Sequence, residues 1–173
     1  ATGTALHDYA DMFRMPYEYA LQIALIILSY VIIVTSWLHY SMSIENYPYR
    51  LNWGILRFIV DIMIVFLYMW LLLVTLEFQD YVLSVIVIFS LYTVWDALRL
   101  VEYWSASEAR HYCLRRLGIN FLFTLPLGVF HFLFVTSLYK IKGFEWAYVA
   151  ILYTIVVLYR VIKLPAYIRA QRQ

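Results

Sequence analysis

The chain has a single cysteine, Cys113, so it can form no internal disulfide and no thiolate metal cluster. Glycine is scarce, with five in 173 residues, and none is arranged as a loop that would cradle a phosphate. No Ser/His/Asp constellation falls at one depth and no paired His/Glu ligand motif is present, so the sequence offers no enzyme signature. Charge is also thin: 14% of residues are charged, against about a quarter in a soluble domain. The net charge of +2 is small and dispersed. No basic cluster is interleaved with aromatics, which argues against nucleic acid as a partner. Nor does any segment carry arginine at every third position, as a voltage sensor would.

What is abundant is apolar surface. Hydrophobic residues make up 65% of the chain, and a bilayer core needs about 20 of them per crossing helix. The composition therefore predicts an all-α integral membrane protein in contact with the lipid bilayer, with one transmembrane domain over residues 1–173. Five windows fit, at about 19–40, 55–76, 81–101, 120–139 and 146–162. Their length, and the lack of turn signals every ten residues, favour helices over strands even where isoleucine and valine are dense. Only "EFQD" separates the second window from the third, which predicts a tight antiparallel hairpin. The fifth window is the shortest, and four spans plus a surface helix is the alternative. Tyrosine and tryptophan crowd the window ends as an aromatic belt, for example Trp37 and Tyr40, or Tyr103 and Trp104. The first 18 residues contain His7, Asp8, Asp11, Arg14 and Glu18, which suits neither a signal peptide nor a transit peptide.

Lysine and arginine divide unevenly between the two faces of such a bundle. One face receives Arg14, Lys140 and Lys142. The other receives Arg50, Arg110, Arg115, Arg116, Arg160, Lys163, Arg169 and Arg172, with Arg57 and Arg99 just beneath. The positive-inside rule then predicts an N-terminus outside and a C-terminus in the cytoplasm.

Arg57 and Asp61 interrupt the second window, and Asp96 and Arg99 the third. Counted from the turn at Gln79, Asp61 lies 18 residues back and Asp96 17 forward, while Arg57 lies 22 back and Arg99 20 forward. Each pair shares a helix face. The expectation is one four-charge network inside the cytoplasmic face, extended toward water by Glu102. Ionised groups in hydrocarbon are costly, so they face the bundle interior and pair; the set either locks two helices or lines a path for protons or ions.

Other polar residues suggest a secondary seam. Tyr68 continues the Asp61 face, and Tyr92 continues that of Asp96. In the first helix Gln22, Ser29 and Ser36 recur every seven residues, a pattern of close helix packing, with His39 near the cytoplasmic end. His131 follows Pro126 and Gly128 in a helix expected to kink. His39 and His131 lie at different depths, which argues against haem or any other metal centre, so no cofactor is expected. These residues predict an ion- or proton-conducting channel or transporter subunit, working as a homo-oligomer or beside other membrane subunits. A noncatalytic accessory subunit is the alternative, and the membrane module of a sensor system is a weaker third.

Overall fold

The computed structural model describes residues 19–50, 53–133 and 144–170. Its regular elements are α1 (Ala20–Asn46), α2 (Trp53–Leu73), α3 (Phe78–Glu102), α4 (Ser107–Leu133) and α5 (Phe144–Ala170). A 3-10 turn over Val74–Leu76 prolongs α2, and Glu77 alone joins it to α3. No strand occurs among the described residues, and all five helices are long and apolar enough to cross a membrane. The reason is that uninterrupted apolar sequence must satisfy its own backbone hydrogen bonds, which a helix does within one segment.

The helices overrun the sequence windows at several ends, most at two. α4 starts at Ser107, well before Asn120, because Glu108, His111 and Arg115 sit on its outer face while Ala109, Cys113, Arg116 and Asn120 turn inward. Charge in "SEARHYCLRR" hides an amphipathic first half. α5 runs past residue 162 to Ala170. The helix continues through Pro126. The leader reading of residues 1–18, the stretch 134–139, Lys140, Lys142 and Arg172 lie outside the described residues.

α3 is the central helix, packed most extensively against α2 and α4. α1 and α5 meet each other, and α1 touches α2 only sparsely. The half of the bundle around the α2–α3 turn is an apolar core of Leu25, Leu28, Leu71, Val85, Ile88, Leu152 and their neighbours. Among its polar groups, Ser29 Oγ donates to Tyr81 Oη at 3.0 Å, and Tyr81 Oη donates to the Leu25 carbonyl at 3.0 Å. The outward surface is also apolar. Trp37 and Phe66 are about two-thirds exposed, along with Ile59, Met63, Met69 and Trp70. An apolar surface of this kind suits contact with a lipid bilayer.

Candidate functional site

The opposite half, where α1, α3 and α5 finish and α2 and α4 begin, holds the buried charges. Asp96, 1% exposed, is their centre. Its Oδ1 accepts from Arg99 Nη2 at 2.6 Å and lies 3.5 Å from Arg116 Nε. Its Oδ2 accepts from Asn120 Nδ2 at 2.7 Å and from Lys163 Nζ at 3.3 Å. One carboxylate thus holds α3, the inner face of α4 and the end of α5 together. Asn120 is fully used, since its Nδ2 also donates to the Tyr92 carbonyl and its Oδ1 accepts from Tyr159 Oη at 2.8 Å.

The four-charge network does not form as counted. Arg57, fully buried, turns from Asp61 to Glu102, donating from Nη1 at 2.6 Å. Its Nη2 donates to the Tyr47 carbonyl at 2.9 Å. Glu102 does not reach toward water either: its side chain is 2% exposed and also accepts from the Arg50 backbone N–H. Asp61 accepts instead from Tyr49 Oη. Burial first, and then that hydrogen bond, hold the Tyr49 phenol far above the ordinary tyrosine value, so it stays a neutral donor. The link from α1 to α2 therefore covers this end of the bundle. Tyr103 Oη donates to the Pro48 carbonyl at 2.5 Å, and the Tyr47 ring stacks on Tyr112 with centroids 5.1 Å apart. Gly54 fits beneath this cover, where a Cβ would meet Tyr49 Cβ at 3.0 Å and Glu102 Oε1 at 3.2 Å.

Beneath it lies a cavity of about 690 Å³, reached by side chains of all five helices. Asp61 and Asp96 both line it, as do His39, Arg116, Arg160 and Lys163. The seam residues divide. Tyr68 Oη lies 2.6 Å from Tyr92 Oη, which is hydrogen-bonded to Ser36, and both tyrosines line the cavity. His39 Nδ1 is 2.8 Å from the Thr35 carbonyl. His131 is elsewhere, its ring set edge-on to Tyr148 at 6.5 Å.

Arg160, Lys163, Arg116 and Asn120 are the site residues that window reading missed. Arg160 Nη2 donates to Ser36 Oγ and to the Ile32 carbonyl at 3.3 Å. Its guanidinium sits 5.1 Å from the Tyr159 ring centroid and 5.6 Å from that of Tyr92. Among the described residues no carboxylate pairs with Arg160, and its buried Nε has no hydrogen-bond partner. The signal was present in helical spacing. Tyr148, Leu152, Val156, Tyr159 and Lys163 recur at three and four residues, and this buried stripe continues past the apolar window into the basic tail. Ser43, which accepts from Arg99 Nη1 at 2.7 Å, likewise follows Ser29 and Ser36 at seven.

Arg99, Arg116, Arg160 and Lys163 bring four formal positive charges to this half, against the two carboxylates Asp61 and Asp96. Aromatic rings offset part of this excess. A negative charge added to those of Asp61 and Asp96 inside the cavity would offset more. No protein-family model matches the chain, and no curated protein or solved structure is significantly similar to it.

Proposed function

We propose that the protein is a small polytopic membrane protein of the transporter or channel kind whose chamber handles an anion. The observation that carries this reading is Arg160, a buried guanidinium on the cavity wall that pairs with no carboxylate among the described residues. Handling of cations or protons by Asp61 and Asp96 finds less support. Asp96 is held by Arg99, Arg116, Lys163 and Asn120, and the chamber's formal charge repels a cation. The apolar septum around Leu28, Leu71 and Ile88 supports a gated carrier over an open pore.

In this reading α2 and α3 are an antiparallel hairpin across the bilayer, with the chamber in the cytoplasmic half, the N-terminus outside and the C-terminus inside. Further copies or other membrane subunits complete the assembly, since five helices enclose little volume. An accessory subunit that only packs against partners is the second reading. It is favoured by the Arg57–Glu102 pair, both of whose side chains are almost wholly buried.

Flux into liposomes separates these. Anion flux, read with chloride for a small anion and with a labelled anionic lipid for an amphiphilic one, that falls at least tenfold in Arg160→Gln and persists in Asp61→Asn is the expected result. Proton or cation flux abolished by Asp61→Asn or Asp96→Asn returns the function to the acids, and no flux from fully assembled protein supports the accessory role.

A further inference from the structure

The chamber has two chemically different ends. One is the cationic end formed by Arg116, Arg160 and Lys163. The other is a wall from α1 and α2 that includes Trp37, Ile62, Val65, Phe66 and Met69. Those five residues are also among the exposed hydrophobics, between 42% and 67% accessible. The same side chains thus line the cavity and belong to the lipid-facing belt, so the cavity opens sideways, between α1 and α2, where packing is sparse. Toward the adjacent water face it is covered by Tyr47, Tyr49 and the Arg57–Glu102 pair.

We infer that the occupant is an anionic lipid of the surrounding bilayer, entering laterally between α1 and α2. Its head sits at Arg160 and Lys163, and a hydrocarbon chain lies along Ile62, Val65 and Phe66. The identification rests on the anion reading above and adds the chain. A small inorganic anion explains the cationic end but leaves the apolar wall without a role, whereas an amphiphile uses both. Basic pockets between helices on the cytoplasmic side are where anionic head groups bind, and an arginine fork matches a phosphate's geometry. The size suits it, because ligand cavities run to about 300–1,000 Å³.

The test uses the intact chain in neutral detergent, with three probes at equal concentration: dioleoyl phosphatidylglycerol, dioleoyl phosphatidylcholine and glycerol 3-phosphate. Retention is read by native mass spectrometry and stabilisation by thermal unfolding. Phosphatidylglycerol is expected to be retained and to raise the midpoint by several degrees, at least tenfold more effectively than either other probe. Arg160→Gln should abolish this preference, and Arg115→Gln, on the exposed face of α4, should keep it. Should Arg160→Gln fail to fold, Ile62→Trp, which fills the lateral opening without touching a charge, should lower retention to the phosphatidylcholine level. Equal action of glycerol 3-phosphate overturns the lipid inference but leaves the anion reading intact. Equal action of phosphatidylcholine overturns both, and retention unaffected by Arg160→Gln or by Ile62→Trp overturns the assigned position.

Discussion

Two aspartates that line one cavity have unlike surroundings, and the difference is measurable. Asp96 offsets the charges of Arg99, Arg116 and Lys163 at once, and its removal takes one shared counter-charge from three buried cations. Losing one member of a buried ion pair costs about 3–5 kcal/mol, so Asp96→Ala should lose at least that much or fail to assemble. Asp61 accepts from a neutral phenol. Asp61→Asn leaves Tyr49 with a carbonyl acceptor, and its cost should stay near 1 kcal/mol, the net worth of one hydrogen bond. Unfolding in detergent measures both, and equal losses would mean that Asp96 is not the hub. Tyr49 suits its role because, neutral in the working pH range, it donates to Asp61 without adding charge.

Helix existence could be read from the sequence because a bilayer permits little else for runs of this length; helix rotation could not. Counting along α2 and α3 sets depth at about 1.5 Å per residue, and Asp61 and Asp96, level by that count, line one cavity. The count cannot decide partners, because Glu102 lies 23 residues from Gln79, almost level with Arg57 at 22. Which acid Arg57 meets depends on azimuth and on the Tyr47–Arg50 link, and both are set by packing. Arg116 and Lys163 were obscured differently: they lie where charged outward residues end the apolar windows, and only the periodicity of buried neighbours marks them as inward. Gly54 tests the packing of that end. Gly54→Ala pushes a Cβ against Tyr49 and Glu102 and should cost about 1–3 kcal/mol as overpacking. Gly118→Ala meets nothing within 4 Å, and should instead gain up to about 1 kcal/mol of helix propensity. The same unfolding assay compares them, and a neutral Gly54→Ala would show that the link yields easily.

At the scale of the whole molecule, the bundle separates an apolar half from a charged half, and the polarity has a direction. Arg99, Arg116, Arg160 and Lys163 are buried at the end where Arg50, Arg110 and Arg115 lie at the surface or half-buried, so internal and surface cations coincide. The other end, at the α2–α3 turn, presents Glu77 and Asp80. Basic residues are retained on the cytoplasmic side during insertion, and anionic lipids are enriched in that leaflet, so the proposed orientation sets the chamber where its proposed ligand is plentiful. Because Cys113 is the only cysteine and is buried, Cys113→Ser gives a clean background for testing this. In that background Glu77→Cys should react with a membrane-impermeant maleimide added outside intact cells, and Arg115→Cys should react only after permeabilisation. Both positions are exposed, so failure of either to label in permeabilised cells is not expected. The reverse pattern would invert the orientation, and labelling of both from outside would mean that α3 and its neighbours do not cross the bilayer as a bundle.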